Sequence, residues 1–593
     1  MRNLVLRSAL LLGAFVFATP SASQQARSTP ATPAPRTPDW DVLLRSRMRV
    51  SAPTTSAITP ADLQTRVYLF ADDSLNGREL ASEGNYKATE YLASEARRLG
   101  LIPMGDNGTY FQTINMVQRN LDPATSLRVG SVSLTPWTDY AVVDQGPFAR
   151  PLAGIQTIYG GNLENPNSLI DPALATGKVV VLNVPSAGAN AGLASVNPPM
   201  LMRYFNGAAG IVISGLEYAP PPMIQAFREP RQLLKRDNPV ARPRPALLIV
   251  TKGTATKLLG ASVDSVKAGA LGATITTVPQ FVESPIRYPA RNVVAAIRGS
   301  DARLRDEYVA LGSHNDHITE PMPPVAHDSI YIVNHLFRTA GADDPPPTLT
   351  AEQQAQVNPL IADMRRKSNG ASARPDSIFN GADDDASGSM SMLEIAEHYA
   401  AQSTKPRRSL LFVWHVGEEA GLYGSEWFTD HPTVPRDAIV AQINMDMIGR
   451  GGALDVTGAT KDGTRYWGGP DKIQLIGARR LSTQLGDLAE AVSKSQPRPL
   501  VIDYEMDANG HPQNIYCRSD HYEYARYGIP IVFVTTGGHA DYHQVTDEPQ
   551  YVDYDRLTRV SQYIADLAGR LAALPTRPVV DKPKPDPKGQ CVQ

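Results

Sequence analysis

Apolar residues follow two patterns along this chain. In the second half, short and nearly unbroken apolar runs recur at Tyr308-Val-Ala-Leu-Gly312, Ser409-Leu-Leu-Phe-Val413, Ala438-Ile-Val-Ala-Gln-Ile443 and from Ile529 to Thr535. Their length and residue types suit buried strands. Helical spacing appears between them, over Met390 to Ala401, over Ala351 to Lys367 and after Trp414. Strands that alternate with helices predict a mixed, mainly parallel α/β sheet with helices on both faces. Nearer the start, Tyr86, Tyr91, Leu92 and Leu99 share one helical face between Gly84 and Leu101, and Thr59-Pro60 with Asp62 reads as an earlier helix start. From Leu121 to Glu283 the pattern changes to short β-like runs broken by Gly and Pro, among them Gly177–Asn183, Ala208–Ser214 and Ala246–Val250. Helical pieces at Met200–Asn206 and Thr254–Leu259 interrupt them. This segment is expected to be an inserted β-rich domain, and Arg291-Asn-Val-Val-Ala-Ala-Ile297 marks the return to the first pattern.

Residues 1–23 have the layout of a secretory signal peptide: Arg2 and Arg7, an apolar run from Ala9 to Ala18, then Ser21-Ala-Ser23. The apolar run is too short for an ordinary membrane span, and no later stretch is apolar for long enough. The mature protein is therefore expected to be exported, periplasmic or secreted, without stable membrane insertion. Residues 24–57 read as a Pro-, Thr- and Ala-rich linker and N-terminal segment, and 578–593 as a disordered tail. With 593 residues, 42% hydrophobic and 20% charged, the chain can bury more than one core. A formal charge of -3 favours neither nucleic acid nor an anionic membrane as partner. Two cysteines, Cys517 and Cys591, are too few for a disulfide scaffold, and whether they pair stays open.

The polar blocks at the ends of the apolar runs carry the chemistry. Tyr308–Gly312 delivers Ser313-His-Asn-Asp-His317, the run ending at Val413 delivers Trp414-His-Val-Gly-Glu-Glu419, and the next two deliver Asn444-Met-Asp446 and Gly537-Gly-His-Ala-Asp-Tyr-His543. An acidic loop, Asn380-Gly-Ala-Asp-Asp-Asp385, precedes the Met390 helix. In open α/β sheets such strand ends are where ligands bind. The adjacent carboxylates Glu418 and Glu419 repel, and their common ionisation calls for a cation or a shared proton. Alone, they read first as solvated acids at a helix start. Carboxylates and imidazoles arriving from several strand ends suit zinc or a similar first-row ion, in a two-metal site with a bridging carboxylate.

The blocks GSHNDH, NGADDDASG, WHVGEEAGLYGSEWF, INMDMIG and DYHQVTDEP resemble, in order, the metal motifs of the M28 family of zinc peptidases, the two-zinc aminopeptidase group. The resemblance implies two Zn2+ per chain: Asp384 bridges them, His314 and Asp446 complete one, and Glu419 and His543 complete the other. Glu418 is then the catalytic general base and Asp316 the carboxylate that orients His314. It further implies that 121–283 is a protease-associated domain inserted between an N-terminal part of the peptidase domain, 58–120, and the zinc peptidase catalytic domain, 284–577. Peptides are the implied substrates. Carboxypeptidase-like and dipeptidase members, a one-zinc glutaminyl cyclase, non-catalytic relatives and a two-metal phosphoesterase are the alternatives.

About seventy residues separate His314 from Asp384, more than in shorter members of that family. This excess is expected to form a rim that narrows the cleft, with His327 and His335 as rim or packing residues. His317 reads either as a cleft residue or as a structural histidine. His415 is expected to point into the fold, Asp520 and His521 to lie beside the site, and His539 to approach the cleft less closely than His543.

Overall fold

The computed structural model describes residues 53–593 except 145–148, 164, 185–192, 194–195, 197, 220, 238–243, 278–279, 320–322, 339–346 and 368–373. The expected signal peptide, 1–23, and nearly all of 24–57 lie outside the described residues.

One sheet organises the site. In chain order its strands are β1 (Ile102–Pro103), β2 (Phe111–Thr113), β3 (Arg291–Ile297), β4 (Tyr308–His314), β5 (Ser409–His415), β6 (Ile439–Met445), β7 (Lys472–Ile476), β8 (Val501–Asp503) and β9 (Ile531–Thr535). They lie side by side as β1-β3-β5-β4-β6-β9-β7-β8, with β2 also on β3. The four central strands, β5, β4, β6 and β9, are parallel, and antiparallel pairing begins at β3 on one side and β7 on the other. The mixed α/β sheet expected from the apolar runs is present, with its parallel strands at the centre.

Alternation of side chains places helices on both faces. Val293, Ala295, Leu410, Phe412, Trp414, Ile443 and Val532 point to one layer, formed by Pro60–Phe70, Glu83–Arg98, Gly388–Ala401 and Tyr554–Ala573. Val294, Ala296, Leu411, Val413, Ile531 and Phe533 point to the other, where Tyr423–Asp430 and His521–Ala525 pack. The inner strands β3 to β7 and β9 are therefore buried on both sides, which is why their sequences are nearly continuous apolar runs rather than alternating ones.

Between β2 and β3 the chain builds a separate eight-stranded sheet from strands between Leu127 and Thr277, with Val179–Asn183, Gly210–Ser214 and Ala246–Val250 as adjacent parallel members. A three-stranded sheet of Met116–Leu121, Arg231–Leu234 and Phe281–Pro285 stands where the chain leaves and re-enters the main sheet. Ile114, Met116, Leu234 and Ala290 then pack with Leu80, Ala81 and Val416, and Arg236 pairs with Glu426. The β-rich segment thus rests directly beneath the turn that carries Glu418.

Residues 578–593 depart from expectation. Instead of a disordered tail they pack along the body: Cys591 is bonded to Cys517, and Val580 and Cys591 pack against an apolar cluster. Gln593 donates to the Met506 carbonyl at 2.7 Å and accepts from the Tyr516 N–H at 2.9 Å. The Pro- and Lys-rich composition hid this, because a covalent link and a few backbone contacts order a segment that has almost no apolar surface of its own to bury. No helix among the described residues is long and apolar enough to cross a membrane.

Candidate metal centre

The strand ends converge. His314 is the last residue of β4, the turn after β5 carries Glu418 and Glu419, Asp446 follows β6, and His543 lies on the loop after β9. Asp384 reaches the same point from the irregular turn Ala382–Ser387 that starts the Gly388 helix. The parallel centre of the sheet is what brings these residues together, since all four strands end on the same edge.

Asp384 stands between two groups. Its Oδ1 is 3.0 Å from His314 Nε2, which in turn is 3.6 Å from Asp446 Oδ1. Its Oδ2 is 3.2 Å from His543 Nε2, which is 3.1 Å from Glu419 Oε2. These residues hold two overlapping sets able to take a metal ion, one of His314, Asp384 and Asp446 and one of His317, Asp384 and Glu419. Among the described residues, His314 Nε2, His543 Nε2, Asp384 Oδ2 and Glu419 Oε1 are buried without a hydrogen-bond partner. Buried polar atoms are rarely left so, and convergent orphaned acceptors with a surplus of carboxylates fit divalent cations.

Electrostatics agree. Burial pushes the Glu418 carboxyl well above the usual carboxylate range, and Asp446 and Glu419 beside it push it further, although His314 opposes them. Burial would also raise Asp384, but His314 and His543 outweigh it and hold the group well below its usual range. Burial therefore favours the proton on Glu418 while Asp384 beside it stays ionised.

The other two aspartates of the acidic loop are fasteners. Asp385 accepts from the Gly388 N–H at 2.8 Å and from the His314 N–H at 3.2 Å, while Asp383 accepts from the Gly449 N–H at 2.6 Å. Asp547 accepts from the N–H groups of Asp383 and Asp384, both at 3.0 Å. Behind them, the fully buried Arg78 guanidinium donates to the carbonyls of Phe70 (2.8 Å), Asn380 (2.7 Å) and Gly381 (3.0 Å). Ser519 donates to Asp446 Oδ2 at 2.8 Å and so aims its other oxygen at His314.

Asp316 differs from the sequence expectation. His314 Nδ1 meets the backbone carbonyl of Asp316 at 3.0 Å, whereas its distance to the Asp316 carboxylate is 3.8 Å. That carboxylate instead accepts from the N–H groups of Gly417 (2.8 Å) and Glu418 (3.3 Å), so it positions the turn of the glutamate pair. The tight turn at Gly417, with φ of +74°, makes both N–H groups available to one oxygen. Burial raises Asp316 to about 6.

The remaining histidines fall away from the centre or flank it. His415 lies 3.4 Å from Asp520 and 3.0 Å from the Tyr524 hydroxyl, and His521 stacks on Phe533, with burial pushing its pKa down to about 3. His539 is 3.3 Å from Asp383. In the long segment after His314, helices His327–Phe337 and Ala351–Lys367 pack together over Tyr551. His327 bonds Asp376 and the Tyr551 hydroxyl, and His335 bonds Asp541 at 2.8 Å, which ties the segment to the His543 loop. His317 is the addition: its Nδ1 lies 2.9 Å from Glu419 Oε1 and 3.6 Å from Asp384 Oδ2. A cavity of about 110 Å³ opens beside Glu418 and Asp446, walled by Met447, Met506, Ile515 and Phe533.

The family model for Peptidase family M28 matches residues 292–568, a range that contains every one of these ligand candidates. Residues 292–568 are thus similar to peptidase family M28. Leucine aminopeptidase 1 of Coccidioides posadasii is 31% identical over 159 residues, 26% of this chain and 36% of that protein. A probable leucine aminopeptidase of Arthroderma benhamiae is 24% identical over 203 residues, 33% of this chain and 48% of that protein. The chain thus spans less than half the length of either relative. Among solved structures, the aminopeptidase from Aneurinibacillus sp. strain AM-1 aligns over 92% of this chain and 99% of its own, at 14% identity and a TM-score of 0.45.

Proposed function

We propose that the protein is an exported zinc metallopeptidase, an aminopeptidase that removes N-terminal residues from peptides at a two-zinc site. The observation that carries the reading is the placement of Asp384, with one carboxylate oxygen toward His314 and Asp446 and the other toward Glu419 and His543. In this reading Asp384 is the bridge, His314 and Asp446 hold one ion, and Glu419 and His543 hold the other. Two divalent ions held there would polarise a scissile carbonyl and acidify a water shared between them. Glu418 would accept that water's proton and return it to the leaving amine, as general acid–base catalysis of hydrolysis needs. Asp316 keeps the Glu418 backbone in place for the transfer.

Residues 121–283 are proposed to be a protease-associated domain that modulates access, and the Cys517–Cys591 disulfide supports an oxidising compartment outside the cytosol. A screen of aminoacyl substrates against their N-blocked counterparts, with and without a chelator, tests the reading. Chelator-sensitive release of N-terminal residues from free-amine substrates alone is expected. Equal hydrolysis of N-blocked peptides would move the activity to an endo- or carboxypeptidase, and chelator-resistant hydrolysis would remove the metal centre from the chemistry.

A further inference from the structure

His317 is not needed by the five-ligand site, yet it sits inside it. Its ring is fully buried, and neither ring nitrogen has a hydrogen-bond partner among the described residues. Nδ1 comes within 2.9 Å of Glu419 Oε1 without making a hydrogen bond to it, so the two atoms face a common point rather than sharing a proton. Ligand atoms on one tetrahedral zinc stand roughly 3.3 Å apart, as follows from metal–ligand distances near 2 Å. The separations from His317 Nδ1 to Glu419 Oε1 and Asp384 Oδ2, 2.9 and 3.6 Å, bracket that value, and those from His543 Nε2 to Glu419 and Asp384, 3.1 and 3.2 Å, lie just below it. The ring also has a shaped seat. A Cβ at Gly381, which lies at φ of +54°, would stand 2.5 Å from the His317 Cγ, so the turn leading to Asp384 closes on the imidazole only because that position is glycine.

We infer that His317 is a further metal ligand on the Glu419 side of the centre. That half then offers two imidazoles and two carboxylates, while the His314 half offers one imidazole and two carboxylates. The nitrogen-rich half favours zinc, cobalt or nickel, and the oxygen-rich half is the one open to exchange with harder ions such as manganese. The inference rests on the dinuclear reading of the proposed function.

The test has two parts, neither of which depends on activity. X-ray absorption on the two-zinc wild-type protein should count three imidazoles for two ions; a count of two would overturn the assignment while leaving the dinuclear reading intact. Stoichiometric uptake of a single ion would overturn both. In the second part, metal-free wild-type and His317→Gln proteins are titrated with Co2+. Removal of an outer-shell partner weakens a metal by roughly tenfold to a hundredfold, so loss of a direct ligand should raise one of the two dissociation constants by at least about a hundredfold and change the visible absorption of that ion. Two Co2+ affinities within about tenfold of wild type, with an unchanged spectrum, would return His317 to a structural role.

Discussion

Replacing Arg78 by Met should destabilise the protein far more than a surface change, and most of all when metal is absent. The side chain keeps its volume but loses three hydrogen bonds, to the carbonyls of Phe70, Asn380 and Gly381. A hydrogen bond to a charged group contributes about 1.5–3 kcal/mol, so the gross loss is about 5–9 kcal/mol. Part of this is offset because a buried guanidinium no longer has to leave water, and breaking such an arrangement typically nets about 3–5 kcal/mol. That is a large fraction of the roughly 5–15 kcal/mol by which a domain is stable. Arg78 is also a positive charge among Asp316, Asp384, Asp385 and Asp547. Bound divalent ions would supply the same compensation, so the deficit should be larger in chelated protein than in metal-loaded protein. Urea unfolding of wild type, Arg78→Met and Arg78→Lys, each with and without chelator, measures all of this. Lys keeps the charge but cannot reach three carbonyls at once, and should fall between the other two. A chelated Arg78→Met protein within about 1 kcal/mol of wild type would show that these carbonyls find other partners and that the clamp is incidental.

Four further outcomes are expected. Glu418→Gln should lower hydrolysis by roughly a hundredfold to ten-thousandfold with both metals retained, whereas Glu419→Gln should lose one metal, as elemental analysis beside steady-state rates will show. Asp384→Ala should lose both metals, since each half of the centre shares that carboxylate. In metal-free protein, burial opposes His543 protonation but Asp384 and Glu419 prevail and raise it to about 10 from 6.5. A raised folded-state value gives stability that is complete below pH 6.5 and is lost as pH climbs through about 10, so the chelated unfolding midpoint should fall across that window and His543→Gln should flatten the fall. Cys591→Ser opens a link between residues 74 apart and should cost up to about 4 kcal/mol in urea unfolding.

The main sheet was legible because its strands are buried on both faces: Arg291–Ile297 and Ser409–Val413 have almost no polar side chain to disguise them, and the observed strands lie within two residues of the runs. The polar blocks were legible as a group because each follows such a run, so that parallel pairing alone assembles them. What a linear reading cannot supply is where a side chain turns after the strand ends. His314 ends β4 and His317 lies three residues on in a stretch without periodicity, and its approach to Glu419 and the closure of Gly381 on its ring show that the second points inward too. Asp316 was placed by the family resemblance, yet its carbonyl and carboxylate divide the work between the imidazole and the glutamate turn. Arg78 and Asp547 act through backbone atoms of distant segments, and a contact between a side chain and a main-chain amide more than 160 residues away leaves no mark on the local pattern. The Gly388 helix and the Ala351–Lys367 helix were found, whereas His327–Phe337, which packs in the same small cluster as the second of these, was not.

The order in which the ligand-bearing strands are synthesised differs from the order in which they lie in the sheet. His314 emerges from the ribosome long before Asp446 and His543, and β9, which places the His543 loop, pairs between β6 and β7, both made earlier. Until β9 docks, β6 and β7 have an unfilled gap between them and the second half of the centre lacks His543. A nascent or truncated chain therefore lacks part of the proposed metal site, and the chemistry proposed for that site would become available only once the whole sheet has closed.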